Sequence, residues 1–139
     1  MRENELMIGD WVCYDGDVEY NMPVKIEGMD IATGALITSD RDDVGFDGVI
    51  PITLTAEILD MNCGHIQSWN GKSVVWTWYN YKEGRSGYIE LSKHAEGETC
   101  KDGFFFSVND GEYYLFKITY VHELQHALRL CGIETEVVL

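Results

Sequence analysis

Residues 73–81, S-V-V-W-T-W-Y-N-Y, constrain the fold of this chain more than any other stretch. Val74, Trp76 and Trp78 fall on one side with a period of two; Val75, Thr77, Tyr79 and Tyr81 fall on the other. β-branched and aromatic residues in that alternation belong to a strand. The neighbouring segments suit the same sheet. Residues 82–87 read as a turn and Tyr88–Leu91 pairs back, followed by a polar loop over 93–103. Phe104–Val108 and Tyr113–Phe116 flank Asn109-Asp110-Gly111-Glu112, a hairpin connection. The second half is therefore expected as an antiparallel β-meander.

Turn signals divide the first half just as finely. Gly9-Asp10 opens onto a strand at Trp11–Tyr14, and Asp15-Gly16 is a hairpin signal. A second strand over Val18–Met29 is broken near Asn21-Met22-Pro23, because proline has no N–H for the ladder. Thr33-Gly34 turns into Ala35–Ser39, and Asp47-Gly48 turns into Val49-Ile50. The opening G-D-x-V and its hairpin predict a small SH3-like barrel, an analogy of fold that carries no function.

Two helices are expected. Pro51–Gly64 holds a two-turn helix with Thr55 as N-cap, Glu57 in the first turn, Ile58, Leu59 and Met61 as the apolar side, and Gly64 as the stop. Thr119 caps a longer one, with Val121, Leu124, Leu128 and Cys131 as its stripe and Gly132 as its stop. Ile133–Leu139 then reads as a terminal strand. The predicted class is α+β: an N-terminal SH3-like β lobe, a short linking helix, an antiparallel β-meander, one C-terminal helix and a final strand. The 139 residues are expected as a single domain, with a candidate β lobe at 1–50 and an α+β remainder at 51–139.

The last helix carries His122-Glu123-Leu124-Gln125-His126, a literal H-E-x-x-H. In zinc hydrolases such a pair of histidines, one turn apart, binds the metal and the glutamate activates water. His122 and His126 as ligands and Glu123 as base are thus the alternative catalytic assignment. Zinc needs a third ligand. The metzincin extension wants Gly at 129 and His at 132, where this chain has Arg129 and Gly132. The downstream carboxylates, Glu134 and Glu136, lie past the Gly132 stop. By helical periodicity both histidines point away from the apolar stripe, onto a solvated face with Gln125 and Arg129. No metal and no catalytic residue is the primary expectation, with zinc as the alternative cofactor.

Other chemistry is sparse. Trp76, Trp78, Tyr79 and Tyr81 make a candidate stacking platform for a ligand, against the plainer reading as packed faces of a sheet. Asp40-Arg41-Asp42-Asp43-Val44-Gly45 starts like a calcium loop, but Val44 and Pro51 stand where such a loop needs oxygen ligands, so an acidic hairpin tip is expected. His65 and His94 are further imidazoles that sequence cannot place. There is no G-x-S-x-G and no glycine-rich phosphate loop.

The net charge is −14, and it is uneven: residues 1–70 hold 14 acidic and 3 basic side chains. Such a balance disfavours direct binding to nucleic acid or to anionic membranes. It favours a basic protein partner; the oligomeric state is left open. The four cysteines form no C-x-x-C pair, and the N-terminus shows no signal-peptide pattern, so free thiols and a cytoplasmic location are expected.

Three segments, Asn4–Val12, Pro51–Leu59 and Tyr120–His126, together resemble a family of small hypothetical proteins of gut anaerobic bacteria and their phages or mobile elements. The resemblance implies no activity. It implies relatives ending in Y-V-H-x-L-Q-N, with Gln and Asn at the places of Glu123 and His126, and hence no metal dependence. The expected function is that of a non-enzymatic accessory or interaction protein of a phage or mobile element, acting through an acidic surface. A zinc-dependent hydrolase is the alternative and a DNA-mimic inhibitor the weaker one.

Overall fold

A computed structural model of the chain describes residues 5–16, 22–30, 32–41, 43–63, 65–69, 73–80, 87–94, 104–108, 113–133 and 135–139. In chain order the elements are β1 (Trp11–Tyr14), β2 (Val24–Asp30), β3 (Ala35–Thr38), β4 (Val44–Gly45), β5 (Val49–Pro51), α1 (Ala56–Asn62), β6 (His65–Trp69), β7 (Ser73–Asn80), β8 (Gly87–His94), β9 (Phe104–Val108), β10 (Tyr113–Ile118) and α2 (Val121–Leu130). Two antiparallel sheets and two helices make the class α+β. The chain forms two compact units: Met1–Thr53 with Tyr120–His122, and Leu54–Thr119 with Glu123–Leu139.

The first unit is a five-stranded sheet in the order β4-β3-β2-β1-β5. β1 pairs on both sides, with Val12 opposite Val24 of β2 and opposite Pro51 of β5. A register shift between Ile26 and Gly28 bends β2, so its first part pairs with β1 and the rest with β3. A 3-10 turn, Phe46–Gly48, leads into β5. Alternation along β1 turns Val12 and Tyr14 inward, where they join Leu6, Val24, Ile26, Leu36 and Val49 in one core. The opening turn is fixed by its own polar groups. Gly9 takes a φ of 94°, in the left-handed region that favours glycine. Asp10, fully buried, accepts from the Met7 N–H through Oδ2 at 2.7 Å, and its carbonyl accepts from the Ile26 N–H at 2.9 Å. The chain returns to this unit late: Tyr120 bridges Thr53, and the Val121 N–H donates to the Ile52 carbonyl at 2.9 Å.

The second unit holds the meander β10-β9-β8-β7-β6. β7 and β8 pair without interruption from Ser73↔His94 to Asn80↔Gly87. The register aligns Trp76 of β7 with Phe106 of β9 across position 91 of β8, and both Trp76 and Phe106 are buried. The Trp76 ring meets Phe104 edge-on, centroids 5.5 Å apart, and its Nε1–H donates to Asp60 of α1 at 2.8 Å. α1 starts where expected, with the Thr55 hydroxyl accepting from the Ile58 N–H. Only Leu59 of its apolar residues is fully buried; Met61 is exposed, since two turns present one narrow row to the sheet. The expected stop at Gly64 lies outside the described residues, and Cys63 takes the C-cap position. β6 was not anticipated by the sequence reading: H-I-Q-S-W lacks a clean alternation, and His65–Ser68 are exposed.

α2 departs from expectation at its start and ends where expected. It begins at Val121, one residue later than a Thr119 cap implies, and the Thr119 N–H donates to Glu123 Oε1 at 3.1 Å. It stops at Gly132, φ 72°, with Ile133 N–H to Leu128 O at 2.9 Å and Gly132 N–H to Arg129 O at 3.0 Å, the Schellman pattern. The expected strand over Ile133–Leu139 does not form among the described residues. The Asn62 side chain takes the place of a neighbouring strand. Its Oδ1 accepts from the Val138 N–H at 2.6 Å and its Nδ2 donates to the Val138 carbonyl at 2.8 Å.

Candidate functional site

The H-E-x-x-H residues do lie on a helix, yet not on a solvated face. His122 and Gln125 are buried alongside Val121, Leu124, Ala127 and Leu128. With about 100° per residue, those six positions cover more than half the circumference of α2. Hydrophobic periodicity sees only the apolar part of that arc, which is why the two polar residues were misplaced. His126 is half-buried and Arg129 exposed. The His122 ring stacks on Tyr120, centroids 5.8 Å apart and planes 8° from parallel. Glu123 accepts from the Thr119 N–H, just ahead of its own helix. Among the described residues, no group of three or more His, Cys, Asp or Glu side chains gathers as a metal site needs. Glu134 and the side chain of His94 fall outside the described residues.

The four aromatics of the candidate platform part company. Trp76 and Trp78 are buried, 1 % and 5 % exposed, and cannot present a face to a ligand. Tyr79, on the opposite face, is 40 % exposed and meets His65 edge-on at 5.8 Å. Tyr81 lies outside the described residues. The strand alternates as its sequence predicts; which face is inward depends on what covers the sheet, and sequence does not state that.

A polar constellation missed by the sequence reading sits in the first unit. Tyr14 ends β1 with its ring in the core and its hydroxyl at the edge of a shallow, open depression of about 520 Å³. That hydroxyl donates to Asp40 Oδ1 and is also bonded to Thr38 Oγ1. Thr38 Oγ1 in turn accepts from the Arg41 N–H at 3.2 Å, and the Thr38 N–H donates to the Arg41 carbonyl at 2.8 Å. The loop after β3 is thereby tied down. The Arg41 guanidinium lies over the Tyr14 ring, 4.4 Å from its centroid, within cation–π range. Asp43 holds a φ of 61°, a left-handed conformation that Asp adopts more readily than most side chains.

The electrostatics follow from the lining. Asp15, Arg41 and Asp43 border the depression together with Tyr14 and Val44. Arg41 is the one cation among them. Hydrogen bonding from Tyr14 holds the Asp40 carboxyl below its ordinary value, so it is ionised at neutral pH. Burial, reinforced by Asp40, pushes the Tyr14 phenol up. The arrangement is a buried aromatic ring under an arginine, with carboxylates at the rim of the depression. It offers no nucleophile: burial raises the thiols of Cys13, Cys63 and Cys131, and none lines the depression. The sequence signal was present as one Arg among Asp40, Asp42 and Asp43, but its partner Tyr14 is remote in the chain.

No protein-family model, no curated protein and no solved structure matches this chain.

Proposed function

We propose that this chain is a non-enzymatic interaction protein whose first unit is an SH3-like small barrel that receives a basic side chain of a protein partner. Three features support the barrel: the order β4-β3-β2-β1-β5, a bent β2 shared between β1 and β3, and the 3-10 turn ahead of β5. The observation that carries the binding reading is the depression itself, which Asp15 and Asp43 border beside the Tyr14 hydroxyl. An incoming ammonium or guanidinium would meet the carboxylates of Asp15 and Asp43 at the rim. The net charge of −14 steers such a partner from a distance. The resemblance to proteins of gut bacteria and their phages brings no enzymatic activity with it, and the free thiols of Cys13, Cys63 and Cys131 suit the cytoplasm.

Titration calorimetry of a lysine- and arginine-rich peptide against the wild type and an Asp15→Asn/Asp43→Asn double variant tests this. Affinity is expected to fall about tenfold, roughly 1.4 kcal/mol, in the double variant. Wild-type affinity is expected to fall steadily with added salt. Binding that ignores both the substitutions and the salt overturns the reading.

A further inference from the structure

Resting on the reading of the depression as a cation site, we propose that the residue it receives is an arginine and that Arg41 is its internal rival. The partner's guanidinium takes the place over Tyr14 that Arg41 fills in the unbound protein. Tyr14 belongs to the core of the first unit and is 7 % exposed, whereas Arg41 is exposed. The Arg41 guanidinium lies over the ring, 4.4 Å from its centroid, and borders the depression. A side chain that water reaches, not the core, therefore covers the outer side of the ring. The two halves of this contact are held differently. Tyr14 pairs with Val49 in the sheet, and its hydroxyl is bonded to Thr38 and Asp40, so the ring stays where it is. Arg41 is tied through its backbone: its N–H donates to Thr38 Oγ1 at 3.2 Å and its carbonyl accepts from the Thr38 N–H at 2.8 Å. A cation–π contact at an exposed site is weak, so the Arg41 side chain can turn away while its loop stays in place.

Chemistry names the newcomer. A guanidinium is planar, weakly hydrated and stacks on aromatic faces; an ammonium is a compact, strongly hydrated charge. Arg41 itself demonstrates that the Tyr14 ring takes the planar group from this side. Two cations on one ring face repel each other, so the partner's arginine exchanges with Arg41 rather than joining it. Asp15 and Asp43 remain at the rim to accept from the N–H groups of the newcomer. Lys25, 5.0 Å from the centroid of the Trp11 ring, is a different case. The two are neighbours across β1 and β2, and neither borders the depression. Lys25 therefore serves as a control for the loss of one positive charge from the same unit.

Titration calorimetry uses one basic peptide made in two forms, its cationic residues all arginine or all lysine, against the wild type, Arg41→Gln and Lys25→Gln. Removing either charge strengthens the attraction for both forms, and Lys25→Gln measures that electrostatic share. Vacating the ring helps the arginine form alone. In Arg41→Gln the arginine form is expected to gain about tenfold in affinity and the lysine form no more than about twofold. A second measurement needs no variant. In NMR spectra of the wild type, the Arg41 side-chain protons, shifted upfield by the Tyr14 ring, are expected to return toward their ordinary positions as the arginine form is added. Equal gains for the two forms in a folded Arg41→Gln, or Arg41 signals that stay upfield in the saturated complex, overturn the exchange and leave the cation site standing. If neither form binds the wild type or Arg41→Gln, the site and the exchange fall together.

Discussion

At the scale of single residues, the Tyr14–Asp40 pair makes stability depend on pH at both extremes. The folded Asp40 carboxyl lies below its ordinary 3.8, so its contribution is complete above that value and is lost as pH falls through the lower folded one. Tyr14 lies above its ordinary 10.0, so its contribution is complete below that value and is lost as pH rises through the higher folded one. Tyr14→Phe removes the donor. Thermal unfolding at a series of pH values should show it less sensitive than the wild type as pH falls below about 4, with the alkaline loss above about pH 10 also reduced. Asn62 is a second residue whose weight exceeds its appearance. Asn62→Ala strips both hydrogen bonds from Val138, at a cost of about 1–2 kcal/mol, and amide exchange at Val138 should accelerate.

At the scale of elements, α2 is the most informative. Its stripe and its stop at Gly132 were legible, because apolar spacing and a glycine after the last turn are local signals. Gly132→Ala should destabilise by more than about 1 kcal/mol in denaturant unfolding, since alanine resists a φ of 72°. Glu123→Ala should cost about 1 kcal/mol through the lost contact with the Thr119 N–H. The burial of His122 and Gln125 was not legible, because a polar residue that finds partners in a core leaves no trace in hydrophobic spacing. β6 escaped for a related reason: an edge strand with both faces exposed needs no alternation. The terminal segment failed in the opposite way. Val137, Val138 and Leu139 look like a strand, but what holds Val138 is a side chain from α1, a partner that no pairing rule anticipates. Of the depression, the acidic rim could be read and the Tyr14–Arg41 stack could not, since the two are joined only when β1 and β3 come together around β2.

At the scale of the whole molecule, 24 acidic against 10 basic side chains make self-repulsion part of the folding balance. Adding salt up to about 0.3 M should raise the melting temperature by screening that repulsion. Zinc added to protein purified without a metal-affinity tag should leave the melting temperature unchanged; a rise that disappears in His126→Ala would restore the H-E-x-x-H to chemical relevance. One topological feature reaches beyond the folded state. The first unit takes most of its residues from the start of the chain and three from near its end, Tyr120–His122. On the ribosome, Thr53 must wait for its bridge partner Tyr120 while the intervening segment is synthesised. At roughly 5–20 residues per second that delay lasts several seconds, during which the amino-terminal sheet is a nascent substrate for chaperones and proteases.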